Sequence, residues 1–166
     1  QTQNLYKSNL FRLQLEELVR ELAPRQSQPG LESFLRSLKP VLEGLKPREI
    51  PAGFAEEFPQ LCFHKQPRDV PFSFGPPKRI DVVGSFLLGT CVRSDLCADV
   101  ALEMPSESFQ AKDYLNWRYA DKRAAYVGEL HRQLSALRAG GGLEADVEVH
   151  LEALHGDFFP PWVVLE

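Results

Sequence analysis

From Gly84 to Pro105 the chain reads GSFLLGTCVRSDLCADVALEMP, a Gly-Ser pair followed about ten to fourteen residues later by acids entering an apolar run. Those residue types suit nucleotidyl transfer. That reaction uses two divalent ions a few ångströms apart, bridged by carboxylates, to stabilise the attacking and leaving oxygens. Positions i and i+2 of a strand face the same way about 6 to 7 Å apart, so Asp-x-Asp or Asp-x-Glu delivers two ligands to one site. A Gly-Ser turn upstream offers backbone N–H groups and little bulk to a triphosphate. The second carboxylate is missing in either register: Asp95 is followed two residues later by Cys97, and Asp99 by Ala101. Glu103 shares the Asp99 face but lies roughly 13 Å further along an extended strand, too far to share ions separated by about 4 Å. Glu148 or Glu152 could supply a third acid from a neighbouring strand, or could be solvated edge residues. The simplest competing account makes Gly84-Ser85 a turn that ends a strand.

No other ligand set competes. Cys62 with His64, or His150 with His155, gives two ligands at a time without a second pair, which falls short of a zinc site. Three cysteines, Cys62, Cys91 and Cys97, match no secreted disulfide framework and point to a reducing compartment. Neither a metal nor a cofactor is expected. A net charge of −4 supplies no bulk attraction for nucleic acid or an anionic membrane, so any such binding needs a local patch. Apolar residues form 43% of the chain, which places it among globular rather than disordered sequences. No run is long and apolar enough for a membrane span, and no signal sequence opens the chain. The start at Gln1 and the end inside PPWVVLE suggest a fragment of a longer protein.

The elements that must hold the acids can be read from periodicity. In residues 4–22, Phe11, Leu15, Leu18 and Leu22 recur at helical steps, with Asn4 as cap. A second helix carries Leu31, Phe34, Leu35, Leu38, Val41, Leu42 and Leu45, and Pro40 should kink or end it. The two should pack antiparallel and cover a sheet. Residues 47–78 contain seven prolines and read as an extended surface connector, in which VPFSF forms a short edge strand. IDVVGSF and ADVALEM are strands, about Ser106 to Arg138 is one long helix stopped by Gly140 to Gly142, and ADVEVHLEAL and PPWVVLE are strands. The expected organisation is a helical pair (1–46), a proline-rich connector (47–78) and an α+β domain (79–166) with helices and strands around one mixed sheet.

On the long helix, Leu115, Tyr119, Tyr126, Leu130, Leu134 and Leu137 form an apolar stripe. Residues 112–138 hold six basic side chains against three acidic, a local charge of about +3. Arg118, Lys122 and Arg132 project to one side, where they could meet RNA phosphates or an acidic partner, or form a solvated flank. Arg123 falls in the stripe, where it must snorkel, pair with an acid, or line a former phosphate cleft. Trp117 lies off the stripe, either as a partner anchor or as a packed ring.

The Gly-Ser, spacer, acid pattern resembles that of polymerase-β-like nucleotidyltransferases. The segments NLYKSNLFRLQLEELVREL, VGSFLLGT, ADVALEMP and KDYLNWRYADKRAAYV occur in the order and spacing of the first domain of the nucleolar RNA-associated protein family, Nrap, which the chain resembles. The resemblance implies a nucleotidyltransferase-like fold, similar to archaeal CCA-adding enzymes, that acts as scaffold rather than catalyst. Gly84, Ser85, Asp95, Cys97, Asp99 and Ala101 are then a vestigial motif. It also implies a nuclear, nucleolar component of the small-subunit processome, acting in pre-rRNA processing and ribosome biogenesis beside other processome proteins and pre-ribosomal RNA. Family members are longer, so the domain is expected to be cut short at its C-terminal end. Two alternatives stand: an active metal-dependent nucleotidyltransferase acting on RNA, and an interaction module that has lost ligand binding.

Overall fold

The computed structural model describes residues 9–22, 29–51, 53–63, 72–90, 97–144, 146–154 and 157–166. The backbone divides into two compact units, Gln1–Arg36 with Ile80–Leu102, and Ser37–Arg79 with Glu103–Glu166.

The first unit contains α1 (Asn9–Leu22), the start of α2 (Pro29–Glu43), most of β3 (Arg79–Val83), α4 (Gly84–Leu88) and most of β4 (Asp99–Glu103). Helical spacing of leucines makes α1, and Arg12 Nε holds Glu16 Oε1 at 2.8 Å across one turn. Among the described side chains the leucines of the expected stripe are not buried. Leu15 and Leu18 are exposed, as are Leu10, Leu13 and Val19, and Phe11 is half-buried. Asn4 lies outside the described residues. Strands β3 and β4 pair with each other.

The second unit holds the core. In α2 the predicted face is the protected one, with Leu38, Leu42 and the following Leu45 buried. Pro40 does not stop α2 at once. The helix runs three residues further and the Gly44 N–H returns to the Pro40 carbonyl at 3.0 Å, so the ring sits within the last turn.

Residues 47–78 correct the expectation of a surface connector. They include β1 (Arg48–Glu49), α3 (Phe54–Glu57) and β2 (Ser73–Phe74), with β1 and β2 antiparallel and Arg48 opposite Phe74. Phe54, Phe58, Leu61, Phe72 and Phe74 are all buried, Phe54 completely at 0% exposed. Prolines mask this role, because they break periodicity while the aromatics between them still pay their way by burial. The VPFSF expectation holds for Ser73 and Phe74; Val70 and Pro71 lie outside the described residues.

Those aromatics rest on α5 (Arg118–Ala139). Phe74 meets the Tyr126 ring at 4.8 Å between centroids, and the Phe58 ring meets His131 edge-on at 6.0 Å. Gly128 makes room for the contact: a Cβ there would stand 3.0 Å from both Leu61 Cδ1 and Phe54 Cε1. The triple glycine ends α5 as expected, with Gly141 at φ +75° and the Gly142 N–H bonded to the Leu137 carbonyl at 2.8 Å.

The start of α5 differs from the expected long helix. A single 3-10 turn (Ser106–Ser108) is followed by turns, and Asn116 and Trp117 adopt φ +56° and +60°, so the α-helix begins only at Arg118. Asp113 and Asn116 favour local turns over helix, and the Asp113 carboxylate accepts the Gln110 N–H at 2.7 Å. Leu115 therefore lies before the helix, exposed, while Tyr126, Leu130 and Leu134 of the same stripe are core.

At the C-terminal end, β5 (Val149–Leu154) and β6 (Asp157–Leu165) form an antiparallel hairpin with Val149 opposite Leu165. The second strand starts earlier than PPWVVLE suggested. Among the described residues the strands form three separate two-stranded ladders rather than one mixed sheet. The architecture is α+β. No described helix is long and apolar enough to cross a membrane.

Candidate functional site

Gly84 takes over where β3 ends, and it opens α4 rather than a simple strand-ending turn. Its φ of +74° favours glycine, and the Asp99 carboxylate lies against its Cα where a Cβ would collide with Oδ2. The fold thus brings together two of the predicted residues that are fifteen positions apart, Gly84 and Asp99. Ser85 is half-buried and its carbonyl accepts the Thr90 N–H at 2.9 Å, which closes the helix beside Gly89 at φ +63°.

Along β4 burial alternates, with Asp99, Ala101 and Glu103 on the exposed face and Val100 and Leu102 on the more protected one. Ala101 therefore shares the Asp99 face, two residues further on, and offers only a methyl group. Glu103 faces Lys78, whose Nζ stands 3.8 Å from Oε1. Cys97 is exposed, and Asp95 lies outside the described residues. Of the two candidate third acids, Glu148 accepts from His150 at 3.1 Å and stands 4.0 Å from Arg138, and Glu152 is exposed opposite Trp162. Among the described residues no three His, Cys, Asp or Glu side chains converge on one point.

The basic residues of α5 separate into different environments, which corrects their assignment to one projecting flank. Lys122 is 3% exposed; its Nζ binds Asp113 Oδ2 at 2.6 Å and the Ser108 carbonyl at 2.8 Å. With the helix starting at Arg118, the Lys122 side chain leans back towards the preceding turn rather than out to solvent. Burial pushes the Asp113 carboxyl up, but the Lys122 hydrogen bond, the Gln110 N–H and the Lys122 and Arg118 charges outweigh it, so the group stays below its ordinary range.

Arg132 is also engaged. Its Nε and Nη2 form a fork on the completely buried Glu129 carboxylate at 2.8 and 2.6 Å, which also accepts from Arg48 at 3.0 Å and Gln133 at 2.8 Å. Gln133 further clamps the Lys46 backbone with two hydrogen bonds of 2.9 Å. Burial raises the Glu129 carboxyl, and the Arg132 and Gln133 donors together with the Arg132 charge hold it below its ordinary range regardless. Arg132 and Gln133 stand three and four residues from Glu129 within α5, but the contacts to Arg48 of β1 and to Lys46, which tie those segments to α5, span more than eighty residues and are invisible to sequence.

Arg118 and Arg123 remain near a surface. The Arg123 guanidinium lies over the Tyr119 ring at 5.8 Å, so the stripe arginine stacks on an aromatic face. Phe109 stacks on Tyr119 with centroids 5.8 Å apart. These rings, with Asp113, Tyr114 and Trp117, line a cavity of about 640 Å³. Sequence inspection missed it, since it depends on the turns between Phe109 and Trp117; the Asp and Asn at 113 and 116 were the available signal.

The structure thus sets a glycine turn against one strand carboxylate in an α+β chain that also carries a long core helix. Comparison with known proteins is specific. The family model described as Nrap protein domain 1 matches residues 35–166, and the chain belongs to that family. The matched range takes in the glycine turn, β4 and α5, while α1 lies ahead of it. Nucleolar protein 6 of Homo sapiens is 39% identical over 147 residues, covering 81% of this chain and 12% of the relative. Nucleolar protein 6 of Xenopus laevis is 36% identical over 142 residues, with the same coverage of each chain. Nucleolar protein 6 of Drosophila melanogaster is 37% identical over 134 residues, covering 76% of this chain and 10% of the relative. The matched part of the chain thus spans only about a tenth to an eighth of the length of these curated relatives.

Proposed function

We propose that this chain is a non-catalytic, nucleotidyltransferase-like scaffold domain that serves pre-rRNA processing in the nucleolus. The relatives bear the name nucleolar protein, and family membership extends that compartment and a role in ribosome biogenesis to this chain. Its finer place is in the small-subunit processome, beside other processome proteins and pre-ribosomal RNA.

The observation that carries the scaffold reading is Ala101. It stands on the Asp99 face of β4, where two-metal chemistry needs a second carboxylate, and the next acid on that face, Glu103, is turned to Lys78. One carboxylate against a glycine turn does not grip an ion pair. The nearness of Asp99 to Gly84 is what the opposite reading, an active transferase, would rest on.

The test is magnesium-dependent incorporation of labelled nucleotide into RNA by the intact protein. No turnover is expected, with or without Asp99→Asn. Turnover that disappears in Asp99→Asn would establish the active transferase instead.

A further inference from the structure

The cavity ahead of α5 is unused by the glycine turn and by the scaffold reading. Its exposed planar surfaces are unusual for a soluble fold: Tyr114 is 78% and Trp117 is 61% exposed, and Tyr119 is about half exposed. Tyr119 is already one layer of a stack, with Phe109 at 5.8 Å and the Arg123 guanidinium at 5.8 Å. Such a stack is extended well by another flat π-system, whereas an aliphatic anchor gains only area.

Two independent observations narrow the occupant. The segment Phe109 to Arg123 holds four basic residues against two acidic, Asp113 and Asp121. Lys122 and Asp113 cancel each other in the buried pair, so the segment keeps a net charge of about +2 from the remaining three basic residues and Asp121, and Arg123 is among the residues that line the cavity. The second observation is Asp113 itself. It is 4% exposed and lines the cavity, yet its Oδ1 receives no hydrogen bond among the described residues while Oδ2 receives two. An ionised oxygen so placed calls for an N–H donor from the occupant.

A ligand with a flat ring, an N–H edge and a linked negative charge is a nucleotide. We propose that this cavity binds a nucleobase of single-stranded RNA, stacked on the Trp117 and Tyr119 rings, with its N–H edge towards Asp113 and its phosphates drawn by the net positive charge of the Phe109 to Arg123 segment. The site would be a second one, separate in chain position from the Gly84–Asp99 turn. The proposal rests on the reading that the protein works on pre-ribosomal RNA. An acidic peptide would suit the charge but leave Asp113 Oδ1 unsatisfied unless it also brought a donor.

The test uses the intact protein and short unstructured oligoribonucleotides. Trp117→Ala and Tyr119→Ala remove exposed rings, and each is expected to weaken binding about tenfold, in the range for loss of one stacked base. An abasic oligomer of equal length should bind the unaltered protein about as weakly as those variants bind RNA. Equal affinity for abasic and base-bearing strands, or unchanged affinity in both variants, would overturn the proposal. A complementary experiment maps ultraviolet cross-links on the intact protein in cells. Adducts on Tyr114, Trp117 or Tyr119 support the site. RNA adducts elsewhere with none in this segment overturn it while leaving the pre-rRNA reading standing, and no RNA adduct anywhere counts against both. Cross-links from these rings to a peptide would assign the cavity to a protein partner and overturn the proposal.

Discussion

Every buried apolar side chain among the described residues belongs to the unit formed by Ser37–Arg79 and Glu103–Glu166, and none to the unit that carries the glycine turn. The residues that look most like chemistry thus sit in the part with the least internal core. The part that looked like a proline-rich linker and a charged helix flank supplies the packing. Local motif content and structural weight are separately distributed here, because a turn and a strand pair can be specified by a few residues whereas a core needs aromatic area brought from distant segments.

The largest expected effect tests whether α5 charges are structural or free. Lys122→Met should destabilise the chain by about 3–5 kcal/mol, as it strands the buried Asp113 carboxylate. Chemical denaturation measures it, and a variant of unchanged stability would return Lys122 to the contact surface. Acid should erode the same unit. His131 is lowered by burial and by the His150 charge, against a hydrogen bond involving Val149, and a lowered histidine stabilises the fold above its unfolded value of 6.5. That contribution fades as pH falls below 6.5 and is gone below the folded value. Asp113 and Glu129, lowered from 3.8 and 4.5, lose theirs later, as pH falls below those values through the folded ones. The denaturation midpoint should therefore drop in two stages between neutral pH and strong acid. A midpoint that rises on acidification would contradict both assignments.

In the other unit, Gly84→Ala should cost at least about 1–2 kcal/mol from its positive φ alone. Collision with Asp99 adds to this, so Gly84→Ala combined with Asp99→Ala should cost about 1 kcal/mol less than the sum of the single changes. Strict additivity in that cycle would separate the two residues. Tyr126→Phe removes a buried hydroxyl that makes no hydrogen bond among the described residues and whose pKa burial raises; stability should stay within about 1 kcal/mol or rise. Smallest of all, Leu13→Gln on exposed α1 should shift the midpoint by less than about 0.5 kcal/mol. A larger loss would show that α1 is covered.

Much of the element order was legible. The α2 stripe, the strands around the glycine turn, the glycine stop of α5 and the alternation along β4 follow from spacing that each segment carries in itself. The α5 start was not, because Asp113 and Asn116 compete for the backbone within an otherwise helical pattern. The linker's core role was hidden for the same kind of reason: Phe54, Phe58, Phe72 and Phe74 have no common period until α5 gives them a shared surface.

The sequence by itself determined that Cys97 and Ala101, not acids, stand two residues after Asp95 and Asp99, and strand alternation along β4 puts Ala101 on the Asp99 face from residue order alone. Only tertiary structure decided that Asp99 rests on Gly84, that Lys122 and Arg132 face buried acids, and that Phe109, Trp117 and Tyr119 frame a cavity. Those outcomes depend on which side chains meet after distant segments pack: packing buries Glu129 beside its helix neighbour Arg132, and burial makes Lys122 choose Asp113, a partner outside α5 that no helical wheel contains.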